Sequence, residues 1–176
     1  LSILILFVIA CFQSNAKVWR INNTPGVVAD FTNCATALAS SSVVNDDTLY
    51  IEGSATSYAG FTLDKRLVII GTGYFISGSD SNPGLQLGNS SSFGSGYIIF
   101  DSTGSGSTLI GLDNFTFGVG QTGSAADNIT ITRCRMNSIS AYYGNVANTI
   151  MAGFKINKCY ISDISLGMPG NPVEIA

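Results

Sequence analysis

Toward the end of the chain the apolar residues fall into a spacing that recurs. Shifted by 25 residues, Ile129, Ile131, Cys134, Met136 and Ile139 stand over Phe154, Ile156, Cys159, Ile161 and Ile164, with polar or small residues between. Each set is apolar at i, i+2, i+5 and i+7: an alternation, a skipped position, then a second alternation. Period-two alternation turns every second side chain to one face of a strand. The skip marks a corner, after which the chain points inward again. A backward shift of 19 residues lays Ile110, Leu112, Phe115 and Phe117 on Ile129, Ile131, Cys134 and Met136, which adds a third unit. Units this short cannot bury an apolar face alone, so the pattern predicts stacked coils, each resting on the next. Like residues then lie about 4.8 Å apart along the stack. Cys134 is expected over Cys159, with Ile131 and Ile156 pointing in and Thr132 and Asn157 pointing out.

The rest of the chain also reads as strand and turn. Strands are predicted at Val18–Ile21, Thr48–Gly53, Phe61–Leu63, Leu67–Ile70, Tyr74–Ile76, Leu85–Leu87, Tyr97–Phe100, Thr108–Ile110, Leu112–Phe117, Asn128–Met136 and Gly153–Ile161. One helix is predicted, Phe31 to Ser40, opened by Asp30 or Thr32, with Phe31, Cys34, Ala35 and Leu38 on one face. Gly, Ser, Asn and Asp fill the gaps, yet no Asn-Gly or Asp-Gly pair marks a tight hairpin. An antiparallel sandwich with this many strands would be expected to show some. The prediction is an all-β, right-handed parallel β-helix with a short N-terminal capping helix.

Composition narrows the function more than it identifies it. Only 11% of the 176 residues are charged and 45% are hydrophobic, which excludes a disordered chain. A net charge of −3 with scattered basic residues argues against a nucleic-acid surface, which needs clustered Lys and Arg. Histidine is absent, so Ser-His-Asp triads, Cys-His dyads and a histidine general base are excluded for the visible chain.

Residues 1–16 read as a signal peptide, incomplete at its start. Leu1 to Phe12 is an uncharged apolar run, too short for a comfortable membrane span of about 20 residues. Ser14 and Ala16 match the small residues that a signal peptidase requires, so the mature chain is expected to begin at Lys17. A rival reading takes Val8-Ile9-Ala10-Cys11 as a lipobox, with Cys11 lipidated. Either way the protein is secreted or held at the cell surface, with no transmembrane span in the mature chain. Three cysteines then remain, Cys34, Cys134 and Cys159, an odd number that reads as small buried hydrophobes rather than a disulfide framework.

The block Val27-Val-Ala-Asp-Phe-Thr32, the Ala-rich helix, Asp46-Asp-Thr-Leu-Tyr-Ile51 and Leu67-Val-Ile-Ile-Gly-Thr-Gly73 resembles the pectate-lyase-like superfamily of right-handed β-helices, and the resemblance runs from Lys17 to Ala176. It implies a bacterial β-helix with residues 17–47 as N-terminal cap and 48–176 as coils. Such a cap covers the open strand edge and apolar cross-section at one end of the stack. No second cap is visible after Pro169-Gly-Asn-Pro172, so the coils are expected to continue beyond Ala176.

The resemblance implies architecture more than chemistry, because the superfamily includes lyases, hydrolases, esterases and adhesins. Its polygalacturonases use paired Asp and a Gly-His-Gly segment, which a chain without histidine cannot supply. Its pectate lyases use Arg or Lys as base and Ca²⁺ on carboxylates of neighbouring coils. In the repeat alignment Asp113 falls on Thr132 and Asn157, and Asp163 on Ser138, so no carboxylate column for Ca²⁺ forms. No cofactor or metal is expected in the visible chain; Ca²⁺ would enter only with a lyase site beyond it.

A basic column is better supported. Arg133 aligns with Lys158, and Arg135 with Tyr160, all at outward positions. They form a candidate cationic, aromatic-edged strip for an acidic or neutral glycan; ordinary solvated residues on an outer face are the plainer reading. The expected function is a monomeric secreted or surface β-helix that contacts polysaccharide. The alternatives are the N-terminal part of a polysaccharide lyase or hydrolase with catalytic coils beyond residue 176, and a structural or adhesive stalk.

Overall fold

The computed structural model describes residues 16–74, 88–119, 126–140 and 152–165. The predicted strands Tyr74–Ile76 and Leu85–Leu87, the apolar N-terminal run with Cys11, and the Pro169–Ala176 segment lie wholly or largely outside the described residues. Within them the protein is built from parallel β-strands with very little helix.

Eleven strands are described: β1 (Val18–Ile21), β2 (Thr48–Ile51), β3 (Phe61–Leu63), β4 (Val68–Ile70), β5 (Ser92–Phe100), β6 (Thr108–Ile110), β7 (Asp113–Val119), β8 (Thr130–Thr132), β9 (Arg135–Ser140), β10 (Lys155–Asn157) and β11 (Tyr160–Ser165). They form two sheets. One runs β1-β2-β4-β6-β8-β10 and the other β11-β9-β7-β5-β3. Every pairing is parallel. From β3 onward the chain visits the two sheets in turn, so each pass contributes one strand to each.

The 25-residue repeat appears as strand register. Ile156 pairs with Ile131, Ile161 with Met136, and Ile164 with Ile139. The segments predicted as single strands, Asn128–Met136 and Gly153–Ile161, are each broken in two. The breaks fall at Arg133 and Lys158, which adopt left-handed backbone conformations with φ of 52° and 53°. Gly111 takes the same conformation, φ 66°, at the corresponding corner between β6 and β7. Left-handed backbone costs a non-glycine residue roughly 1–2 kcal/mol. The corner amides offset part of that cost by bonding to the next pass: Gly111 N–H donates to Thr132 O at 3.1 Å and Arg133 N–H to Asn157 O at 3.0 Å.

The step before this one is 22 residues, not 19. Leu109 pairs with Ile131, and Phe117 with Ile139. The shorter shift is wrong because it counts Ile110 as inward, whereas Ile110 pairs with the outward Thr132 and is only half-buried. An irregularity at Asn114, φ 50°, also displaces the apolar spacing, so that Phe115 rather than residue 114 occupies the place of Met136.

Inward columns make the core. Leu49, Ile69, Leu109 and Ile131 lie in register on consecutive strands and are all fully buried. Trp19 precedes them and Ile156, partly buried, follows. From the other sheet Phe100 packs on Phe117, and Phe117 meets Phe154, which directly precedes β10, with ring centroids 4.9 and 5.0 Å apart. Backbone also packs closely at the turns: a Cβ on Gly53 would sit 1.9 Å from the Asn89 carbonyl oxygen, so only glycine fits there.

The helix, α1, covers only Cys34–Ala39. Its N-cap is Asn33, whose side chain accepts from Thr36 N–H at 2.9 Å, rather than Asp30 or Thr32. Phe31 lies outside it, bridged to Ile21 and stacked on Trp19 at 5.5 Å, and Ala35 faces solvent while Ala37 is buried. Pairing with β1 captures the residues that helical periodicity alone would assign to a first turn. At the other end Lys65 Nζ donates to the carbonyls of Leu38, Ser40 and Val43 at 2.6, 2.9 and 2.9 Å, satisfying acceptors that the helix end leaves open.

Two carboxylates anchor this region. Asp47, 1% exposed, accepts from Lys17 N–H, Trp19 Nε1–H and Val44 N–H. Burial alone would raise its pKa, but these hydrogen bonds together outweigh it and hold the group below the ordinary value of 3.8. Glu52 is held below 4.5 by hydrogen bonds from Arg20 and Asn22.

The fold carries two expected outcomes for unfolding experiments. Ile131→Ala should cost about 2–5 kcal/mol, whereas Thr132→Asp, one residue along and outward, should cost about 0.5 kcal/mol or less; denaturant titration reads both. Depressed folded-state pKa values give stability that is present above the unfolded values of 3.8 and 4.5 and is lost as pH falls through the folded ones. The melting temperature should therefore hold near pH 5 and drop steadily below about pH 4, and Asp47→Asn should flatten that drop.

Candidate functional site

The four residues of the candidate strip meet on one corner of the stack. Two residues link β8 to β9, Arg133 and Cys134; two link β10 to β11, Lys158 and Cys159. The left-handed conformation of the first residue in each pair points it to solvent, and Arg133 and Lys158 are both exposed. The second residue of each pair returns to the interior. Arg135 and Tyr160 then open their strands in register with one another, tied by Tyr160 N–H donating to Cys134 O at 2.9 Å.

Their surroundings separate them. Arg133, Lys158 and Tyr160 make no side-chain hydrogen bond or ion pair among the described residues, and Tyr160 is 56% exposed. Arg135 is committed elsewhere. Its Nε donates to Asp113 Oδ1 at 2.6 Å and its Nη2 to Oδ2 at 2.9 Å, a two-pronged ion pair. Asp113 is buried, and Ser90 Oγ donates to its Oδ2 at 2.7 Å. Asp113 thus lies beside Arg135 rather than beside Thr132, as the 22-residue step requires. Ser90 was not singled out from the sequence, and Asp113 was weighed there only for a carboxylate column; the corrected step is the signal that sets it beside Arg135. Asp163 does lie beside Ser138.

The net field of the corner comes from Arg133 and Lys158, stacked one strand apart, with a tyrosine ring beside them. One is a planar guanidinium and the other a compact ammonium, so both can donate hydrogen bonds to anionic or hydroxyl oxygens. Among the described residues no three His, Cys, Asp or Glu side chains converge to hold a metal ion, and no helix is long and apolar enough to cross a membrane.

The cysteines sit just inside this corner. Leu112 N–H donates to Cys134 Sγ and Cys134 N–H to Cys159 Sγ, each at 3.4 Å, so each sulfur caps the amide of the pass before it. All three described cysteines are free. Cys34 and Cys134 are buried as expected, but Cys159 is only partly so. Burial pushes the Cys34 thiol up. Within the pair, the side-chain interaction between neighbouring thiols raises Cys134 and lowers Cys159, which makes Cys159 the more acidic thiol.

Comparison with family models, with curated proteins and with solved structures finds no match to this chain.

The corner has a clear energetic division. Arg135→Ala would leave Asp113 buried without its counter-charge and should cost about 2–4 kcal/mol, somewhat below a fully buried pair because Arg135 is partly exposed. Arg133→Ala, a few ångströms away along the same corner, should change stability by about 0.5 kcal/mol or less. Comparable losses for both would show that Arg135 is not the structural member of the set.

Proposed function

We propose that this chain belongs to a secreted or cell-surface, right-handed parallel β-helix protein of the pectate-lyase-like kind, and that it contacts polysaccharide through Arg133, Lys158 and Tyr160. Two parallel sheets visited in turn support the solenoid, and the right-handed sense follows from the strong preference of parallel crossovers for that hand. The observation that carries the binding reading is the exposed corner itself. Two cations without a side-chain partner among the described residues, one strand apart, stand beside an exposed aromatic ring. The cations would hold carboxylate or hydroxyl groups along a glycan while the tyrosine ring packs on a sugar face. The apolar run at Leu1–Phe12 and the small residues at Ser14 and Ala16 support export.

Affinity electrophoresis of the exported protein through acidic and neutral polysaccharides tests this. Retardation should weaken about five- to tenfold in Kd for Arg133→Ala, Lys158→Ala or Tyr160→Ala, close to 1 kcal/mol each. Each cation variant should weaken the salt dependence of binding while Tyr160→Ala keeps it. Unchanged retardation in the triple variant would remove the corner as the contact surface.

A further inference from the structure

Lys17 meets the body of the protein through its main chain. Its backbone N–H donates to Asp47 Oδ1 at 2.8 Å, its carbonyl accepts from Thr48 N–H at 2.8 Å, and its Nζ lies 3.3 Å above the Trp19 ring. Asp47 is the receiving group. It is 1% exposed, and its other oxygen accepts from Trp19 Nε1–H at 2.8 Å and Val44 N–H at 3.0 Å. All three donors are neutral N–H groups, and no Lys or Arg side chain forms an ion pair with Asp47 among the described residues. The Lys17 ammonium, held over the Trp19 ring, attracts Asp47 without bonding to it; burying a carboxylate with no directly bonded counter-charge is expensive, and each neutral donor offsets only part of the cost. The remedy lies one bond away. Ala16 and Lys17 are exposed, and the peptide nitrogen on Asp47 is the atom that a cut after Ala16 would free.

We propose that hydrolysis of the Ala16–Lys17 bond turns the Lys17 nitrogen into an ammonium that forms a buried ion pair with Asp47 and locks the N-terminal strand onto the fold. The inference rests on the export reading for the source of the cut. A peptidase adds water across the amide. The hydroxyl goes to the Ala16 carbonyl carbon, which leaves as a carboxylate, and the nitrogen gains protons to become –NH₃⁺. No oxidant, reductant or metal enters the balance. In place of one neutral N–H, Asp47 then faces a full positive charge in the same position, and charge-assisted hydrogen bonds are roughly twice as strong as neutral ones. The lock acts where it matters for the fold, because Asp47 precedes β2 and also binds Trp19, the first residue of the inward column.

The test compares the protein beginning at Lys17 with the same protein whose α-amine alone has been acetylated. Acetylation keeps an N–H for Asp47 but removes the charge. The melting midpoint should fall by several degrees on acetylation, and Asp47→Asn should abolish the difference between the two forms. Equal midpoints in the Asp47 protein would overturn the lock, as would a difference that survives Asp47→Asn. Should Asp47→Asn fail to fold, the reactivity of the α-amine decides: acetic anhydride should modify it more slowly in the native protein than in the unfolded one, and equal rates would overturn the proposal. N-terminal sequencing of the exported protein is read separately. A chain beginning at Cys11 would sink the processing step in the cell, while protein cut by a site-specific protease to begin at Lys17 would still report whether the lock forms.

Discussion

Parallel stacking at one-strand spacing is the constraint on which everything else depends. Each pass donates and accepts its main-chain hydrogen bonds through its neighbours, and each buries its apolar face only by lying on them. The columns follow directly. A residue that points inward in one pass must stand over an inward residue in the next, as Leu49, Ile69, Leu109, Ile131 and Ile156 do. The corners are governed by the same rule. Gly111, Arg133 and Lys158 share a left-handed backbone because the chain must change sheets at the same height in each pass.

Polar groups drawn into this stack find partners on adjacent passes as well as on their own. Ser91 Oγ, fully buried, donates to Ile51 O of the preceding pass and accepts from Thr72 N–H of its own; Cys134 and Cys159 accept corner amides; Asp113 takes Arg135 from the next pass and Ser90 from the one before. A charged side chain on the surface can therefore be structural, as Arg135 is, while the side chain of its neighbour Arg133 has no partner among the described residues. That division separates the exposed part of the corner, proposed above as a contact surface, from the part that holds the fold. At the other end of the molecule Asp47 gathers Lys17, Trp19 and Val44 and ties the first strand to the second.

Much of this was legible in the amino-acid sequence. The 25-residue repeat, the alternation within it and the lack of hairpin signals determined parallel strands, the register of the last two passes and the stacking of Cys134 on Cys159, although Ile164 is exposed where its set was expected inward. They did so because a side-chain column leaves the same trace in every pass that contributes to it. The sequence also placed Arg133, Arg135, Lys158 and Tyr160 on one edge. Tertiary structure decided the rest. The step of 22 residues was hidden because Ile110 is apolar yet outward, and because an irregular backbone at Asn114 shifts the count without changing composition. The helix start moved from Phe31 to Cys34 because a bridge to Ile21 competes for Phe31, a long-range contact that local periodicity does not contain. The pairing of Arg135 with buried Asp113, and of Lys17 with buried Asp47, likewise depends on which passes lie side by side, since a charge shows its partner only when folding brings the two within a hydrogen bond.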